Sequence, residues 1–289
     1  MAIQTPATQP TLTAAEVAKL LVQPLEQEST FLAAGPQIID TAGPLRVPRI
    51  ASGASAAFVA AGSQIPDSAP TFDEVQLLPS TLKGIKSLTK LSAELIREAT
   101  HTVGALDQVI STRLVTDVSN VLDAALYDGT GASDTIKGIL RQTDITTGVL
   151  DLSDPDSLID GLAAAQGNHV AATHWVMTPQ AFAALRKLHV GTDDARYLLD
   201  PNLHEGTQFT LFGLPVIITD FIPNTGTAPG KARVALVDFS KVVVARDQYP
   251  TVAVLDQTFG DYDTVGIRVT ARFDVGLLTP KAVTLLTEA

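Results

Sequence analysis

The chain has 289 residues, 20 Lys and Arg against 31 Asp and Glu, a formal net charge of -11 and no cysteine. That balance excludes a sequence-wide grip on nucleic acid, which needs clustered cations, and the missing cysteines exclude disulfides and thiolate chemistry. Charged residues make up only 18% and hydrophobic residues 45%, a low charged share for a protein that stays soluble as a monomer, and the length points to two domains. The acidic bias is local as well: residues 101–160 hold ten Asp and only Arg113, Lys137 and Arg141 as bases. No apolar run reaches the roughly 18–20 residues that span a bilayer. The first ten residues lack the basic start and apolar core of a signal peptide, which implies an intracellular product.

Residues 1–12 are rich in Thr, Pro and Gln and read as an arm that gains order only on a neighbour. Thr13-Ala-Ala-Glu16 is a capping-box signature before Val17, Leu20 and Leu21, a short helix limited by Pro24. Leu45-Arg-Val-Pro-Arg-Ile50 is strand-like. It leads into residues 51–70, rich in Ala, Ser and Gly, whose bulky apolar groups are only Phe58, Val59 and Ile65. Too few side chains can be buried there to offset the ordering entropy within one subunit. An extended hairpin lying on an adjacent subunit explains the segment, with Phe58, Val59 and Ile65 as its contact residues; a loose surface loop is the plainer reading.

Residues 75–91 return as strand, and 92–98 read as a short helix with Ser92 as cap. The long helix candidate is 102–126. Val103, Leu106, Ile110, Leu114, Val118, Val121 and Ala125 recur at intervals of three and four, with Arg113, Asp117, Asn120 and Asp123 assigned to the wet side. It stops at Asp128-Gly-Thr-Gly131. Asp154-Pro155 and Thr178-Pro179 each read as an N-cap followed by proline at the first helical position. Between and beyond them come short strands at 174–177, 214–218 and 234–237, then longer antiparallel ones at 242–245, 251–255 and 267–273, and a terminal strand at 282–286. In residues 266–274 strict alternation puts Ile267, Val269, Ala271 and Phe273 on one face and Arg268, Thr270, Arg272 and Asp274 on the other. The class is α+β, closed by its own C-terminus.

No candidate chemistry coheres. His169 and His174 lack the spacing that sets two imidazoles on one helical face about zinc. Asp151, Asp154, Asp156 and Asp160 lack the glycine and final Glu of a calcium loop, and negative charge at a helix start accounts for Asp154 and Asp156. Gly129-Thr-Gly131 has no Gly-Lys-Ser/Thr ending and reads as a turn, and no Gly-x-Ser-x-Gly elbow is present. Trp175 and Tyr249 are isolated, so no base-stacking platform exists. The expectation is no enzyme, no metal and no cofactor, but a protein that works by its surfaces.

The chain resembles the major capsid protein of tailed bacteriophages, the HK97-like fold family, from about residue 24 to 286. The likeness rests on motifs in order: Phe72-Asp-Glu-Val-Gln-Leu-Leu-Pro-Ser-Thr-Leu-Lys83 entering Leu91-Ser-Ala-Glu-Leu-Ile96; Leu126-Tyr-Asp-Gly-Thr-Gly131 with Lys137-Gly-Ile-Leu140; Trp175-Val-Met-Thr-Pro179 with Leu185-Arg-Lys-Leu188; Leu211-Phe-Gly-Leu-Pro-Val216; Val237-Asp-Phe-Ser240; and Arg268-Val-Thr-Ala-Arg-Phe-Asp274. The resemblance implies an N-terminal arm (1–35), a peripheral domain (36–153) holding an extended loop (48–73) and a spine helix (102–126), an axial domain (154–240), peripheral return strands (241–271) and a C-terminal strand of the axial domain (272–289). It further implies hexamers and pentamers closing an icosahedral shell around double-stranded DNA, a virion location after assembly in the bacterial cytoplasm, portal and separate scaffold proteins as partners, and no membrane.

Three departures stand out. Ile136 replaces the proline common before Lys137-Gly-Ile, and the chain has no room for a cleaved scaffolding segment. No lysine lies between Lys19 and Lys83, so the covalent lysine–asparagine link of some relatives is not expected. The alternatives are an encapsulin-type nanocompartment shell, which resembles the same fold but encloses protein cargo, and an α/β hydrolase or binding protein.

Overall fold

A computed structural model of the protein describes residues 28–52, 56–60, 62–64, 67, 69, 71–78, 83–92, 106–191, 194–197, 209–226, 230–247, 251–255, 258 and 262–289. The helix expected at 13–22, all of that expected at 92–98 except Ser92, and Ile65 lie outside them; Ser92 is the last residue of a strand.

Two sheets organise the described chain. The first is built on β14 (Thr264–Leu277), which at about 3.3 Å per residue runs roughly 46 Å. Its C-terminal part pairs with β12 (Val242–Asp247), and its N-terminal part lies between β13 (Thr251–Leu255) and β4 (Gly84–Ser92), all antiparallel. β1 (Gln37–Thr41) adds to β12 in parallel, Gln37 opposite Val243. The second sheet has six strands in the order β5 (Thr146–Leu150), β15 (Val283–Glu288), β11 (Arg233–Val237), β6 (His174–Met177), β10 (Leu214–Ile218) and β9 (Thr210–Leu211). The terminal strand therefore sits inside this sheet, parallel to β5 and antiparallel to β11.

Alternation in the second sheet feeds two cores. Val176, Ala235 and Val237 point into a large core that also takes Val242, Val244, Val269, Ala271 and Phe273 from the first sheet. Trp175, Met177, Val234 and Leu236 point the other way, under α2 (Asp156–Gly167) and α3 (Pro179–Arg186). Burial on both faces is why β11 reads as an unbroken apolar run after Arg233. The chain passes from the second sheet to the first at 238–241 and back at 278–282. These crossings are hydrogen-bonded to each other, the Asp238 N–H donating to Ala282 at 2.9 Å and the Leu278 N–H to Lys241 at 2.9 Å.

The long helix, α1 (Leu106–Asp128), is about 34 Å of continuous helix. Its buried stripe is Leu114, Val115, Val118, Leu122 and Leu126. This corrects the face expected from periodicity in two places: Val121 is 56% exposed, whereas Asp123 is 1% exposed. The stripe is rotated because Asp123 has partners inside, supplied by the helical turn Thr30–Ala33 and its cap. That turn also inserts Phe31, whose ring meets Tyr127 edge-on at 4.9 Å and Phe239 at 5.4 Å.

Asp274 corrects the alternation of the tail in the same way. It is buried, accepting from the Leu78 N–H at 2.9 Å and from Lys83 Nζ at 2.9 Å. Arg272 keeps its place on the half-exposed face and pairs with Asp247 at 2.8 Å. The cap at Thr178-Pro179 is as expected, the Thr178 hydroxyl accepting from the Ala181 N–H at 3.2 Å. At α2 the register is one residue later than expected. Pro155 occupies the cap position and Asp154 accepts from the Asp156 N–H at 3.0 Å.

β2 (Leu45–Ser52) and β3 (Thr71–Leu77) form a separate hairpin, Leu45 opposite Leu77, with a bulge after Ile50. Among the described residues its base is anchored: Leu77, Leu78, Val75 and Val47 pack with Val243 and Ala245 on the first sheet. Gly276 makes that approach possible, since a Cβ there would stand 2.6 Å from Val75 Cγ1. The fully buried Leu122 is the keystone of the α1 stripe. Leu122→Ala removes its contacts and leaves a cavity between sheets that cannot collapse freely, so urea unfolding of the unassembled subunit is expected to show a loss of about 2–5 kcal/mol; a loss under about 1 kcal/mol contradicts this packing.

Candidate assembly surfaces and the joint between the sheets

The strongest electrostatic feature lies where α1 ends. Asp128 is the last residue of the helix, where the dipole disfavours a carboxylate. Two guanidinium groups converge on it. Arg233, buried at the start of β11, donates to Oδ1 at 3.1 Å and Oδ2 at 2.9 Å. Arg141, in the turn after α1, donates to Oδ2 at 3.1 Å and through Nε to the Asp128 carbonyl at 3.0 Å. Arg233 Nε is satisfied by the Pro223 carbonyl at 2.8 Å. Burial pushes the Asp128 carboxyl up, but the hydrogen bonds and charges of Arg233 and Arg141 outweigh it and hold the group below the usual carboxylate range.

Asp123, one turn earlier, is the opposite case. Burial raises its carboxyl above the ordinary value, and donors from Ser29 and Thr30 offset this only in part. The Ser29 hydroxyl donates to Oδ1, and the Thr30 N–H and hydroxyl each donate to Oδ2 at 2.8 Å. These contacts tie the segment that follows the first 27 residues to α1 near its C-terminal end.

The hairpin is built for the outside. Cross-strand ion pairs, Arg46 with Glu74 at 2.9 Å and Arg49 with Asp73 at 2.6 Å, hold its ladder in water. Beyond them Phe72 is exposed and Phe58 is 111% exposed, while Val59 is half-buried. A two-stranded hairpin with no core of its own is marginal in water, and among the described residues Phe58 joins no core cluster.

The remaining sequence candidates resolve as structure. His174 Nδ1 lies 3.0 Å from the Thr173 hydroxyl and its ring meets Phe239 edge-on at 5.4 Å, with burial pushing its pKa down. Asp151 accepts from the Ser153 hydroxyl at 2.6 Å and its N–H at 2.8 Å, which hold its carboxyl low. Gly129-Thr-Gly131 is a turn closed by the Gly138 N–H donating to Gly129 at 2.9 Å, with Thr130 bridged to Lys137. Among the described residues no group of three or more His, Asp or Glu is placed to hold a metal ion. Sequence reasoning missed the Asp128 joint; its one signal was an acid, with no base in the same turn, at the wrong end of a helix.

The described chain is two sheets on one long helix, with a projecting, ion-paired hairpin and Phe58 and Phe72 exposed. The sequence profile of the phage capsid family matches residues 11–287, and the chain belongs to that family. Its members are structural and non-catalytic, and this chain shares that character. It is 26% identical over 217 residues to the major capsid protein of Klebsiella oxytoca phage phiKO2, covering 71% of this chain and 48% of that protein. The chain thus spans about half the length of that relative. Among solved structures it is similar to the capsid of an empty GTA particle (TM-score 0.70, 18% identity, 100% of this chain and 95% of that one). It is also similar to a chain of Gordonia phage Cozz (TM-score 0.69, 18% identity, 100% and 98%) and one of Mycobacterium phage Ogopogo (TM-score 0.68, 17% identity, 92% and 91%). The fold is HK97-like.

The joint makes a pH-dependent prediction. Because the folded carboxyl of Asp128 lies below its unfolded value, its contribution is present above the unfolded pKa and lost as pH falls through the folded one. Asp128→Asn is expected to destabilise the subunit at neutral pH by about 3–5 kcal/mol, since Arg233 is left buried beside a neutral group. It also flattens the acid limb of stability against pH. Denaturant titrations from neutral pH to pH 3 check both, and an unchanged acid limb contradicts the assignment.

Proposed function

We propose that this chain is the main subunit of an icosahedral phage shell, assembling as hexamers and pentamers that enclose double-stranded DNA. The observation that carries the reading is the β2–β3 hairpin: a folded, ion-paired ladder that projects a fully exposed phenylalanine needs a second subunit to cover it. The family match over residues 11–287 supports the same reading. The acidic stretch 101–160 suits a wall that confines DNA without holding it.

On this reading residues 1–35 are the N-terminal arm, and 36–153 with 241–271 form the peripheral domain, including the extended loop 48–73. Residues 154–240 and 272–289 form the axial domain, whose sheet also takes in β5 (Thr146–Leu150), while β14 carries the first sheet on to Leu277. Portal and separate scaffold proteins are the partners, assembly takes place in the bacterial cytoplasm, and the virion is the destination. Expression of the chain with and without the neighbouring scaffold gene is expected to give rings or shells by negative-stain electron microscopy. A protein that stays monomeric under every condition tried overturns the proposal, and shells filled only with a protein cargo overturn the DNA assignment.

Changing Phe58, Val59 and Ile65 together to Ser is expected to leave the circular dichroism and melting temperature of the unassembled subunit unchanged while abolishing or weakening shells. Each bulky apolar group contributes roughly 1.5–3 kcal/mol when covered. Unfolding of the isolated subunit by the triple change, with particles tolerating it, assigns these residues to an internal core instead.

A further inference from the structure

The two edges of the six-stranded sheet carry complementary surfaces. At the β9 edge the hairpin to β10 turns at Phe212 and Gly213, both left-handed, with φ of 50° and 78°. Two-residue turns of this kind favour Asn-Gly, and a bulky residue in the first position is strained. Phe212 is nonetheless there, 45% exposed, at a tip where, among the described residues, a Cβ added to Gly213 would meet nothing within 4 Å. Phe209 is exposed beside it and packs on Phe182 at 4.9 Å, and the Arg186 guanidinium lies 5.5 Å from the Phe209 ring. This edge is aromatic and cationic.

At the β5 edge the surface is apolar and anionic. Val149 is 66% exposed. Between β5 and α2 opens a cleft of about 480 Å³, with Gly148, Gly161 and Leu286 in its lining and Asp151, Asp154 and Asp160 among them. Gly161 keeps the cleft floor low, because a Cβ there would stand 2.9 Å from Leu286 Cδ1. Among the described residues none of these three carboxylates meets a basic side chain; Asp151 and Asp154 accept only from the local Ser153 and Asp156 groups.

We infer that the sheet joins copies of this chain head to tail: the Phe209–Phe212 tip of one copy enters the β5–α2 cleft of the next, and Arg186 meets its acidic rim. The occupant is a second copy because both halves of the contact are on one chain. Pairing like edges would set aromatic tip against aromatic tip and carboxylate against carboxylate, whereas opposite edges satisfy apolar surface and charge together. Opposite edges of one sheet make a heterologous contact, which repeats around a closed ring. The inference rests on the shell reading and supplies the contact that would close its capsomers.

The chain has no cysteine, so single thiols can be placed cleanly. Phe212→Cys and Val149→Cys are both exposed positions and are expected to leave the fold intact by melting temperature. With a bis-maleimide, a mixture of the two variants is expected to give a cross-linked dimer, each variant alone none, and the double variant a ladder ending at the ring size. Cross-linking of Phe212→Cys with itself at the level of the mixture overturns the head-to-tail arrangement. Shells visible in the same samples without the mixed cross-link overturn this contact while sparing the shell reading. Neither shells nor cross-links overturn both, and cross-linked rings that never close into shells support the contact against the shell. In a second arm, Arg186→Glu and Asp160→Arg are each expected to raise the concentration needed for ring formation about tenfold, and their combination to restore it. No rescue in the combination overturns the charge pairing.

Discussion

An acid at the carboxyl end of a helix is electrostatically misplaced, and the arrangement of this molecule follows from how that misplacement is relieved. Asp128 ends α1 among carbonyl groups that repel it, and relief comes from Arg141 and Arg233. Arg141 holds the turn after the helix by gripping both the carboxylate and the carbonyl of the same residue. Arg233 opens β11, the central strand of the second sheet. One carboxylate thus fixes the end of the helix, the direction of the chain leaving it and the position of a sheet whose anchoring arginine lies 105 residues further along the chain. A buried ion pair of this kind adds little net stability, since desolvation opposes the Coulomb gain. Its effect is to select one relative placement, because any other leaves a buried charge alone.

That placement lets the two sheets share a core. Val237 and Val242 end one sheet and begin the other, yet both lie in the same apolar cluster with Phe31, Leu122 and Phe239. The paired crossings at 238–241 and 278–282 are bonded to one another, so the sheets cannot separate without breaking backbone hydrogen bonds between crossings as well as exposing the core. The subunit body is therefore stiff at its centre. Its unsatisfied surfaces lie at the extremities: the hairpin tip at Phe58, the turn at Phe212 and the cleft beside Val149. A stiff body with adhesive extremities is what repeated docking of identical copies requires.

Much of this was legible in the chain, and the parts that were not share a cause. Strict alternation located β14, the Thr178-Pro179 pair located α3, and the unbroken apolar run at 234–237 located a strand covered on both faces. These are local signals, set by residues within one turn or one pleat of each other. Periodicity placed α1 but not its rotation, because Val121 and Asp123 are decided by Ser29 and Thr30, more than ninety residues away. Asp274 was read as wet for the same reason; its partners Leu78 and Lys83 lie 196 and 191 residues away. A charged side chain advertises solvent unless a distant donor is known, and one sequence does not announce which donors will arrive. The strands of the projecting hairpin, β2 and β3, flank the apolar-poor segment 51–70 on which the sequence reading rested.

The distribution of strain fits the same division between a fixed centre and adhesive ends. A phenylalanine in left-handed backbone costs on the order of 1–3 kcal/mol, and among the described residues Phe212 belongs to no core cluster. Glycine or asparagine at that position would make the turn without strain and would lose only the exposed ring. The ring itself is then the feature that the surrounding structure holds in place, and a ring is most effective where water can be excluded from both of its faces. Phe209, Phe182 and Arg186 pack on one another at the base of the same hairpin, and Phe212 and Phe58 are both exposed. In a closed assembly each such contact recurs in every copy, so individually modest burials become collectively decisive, and a subunit can leave its apolar ends uncovered until neighbours arrive.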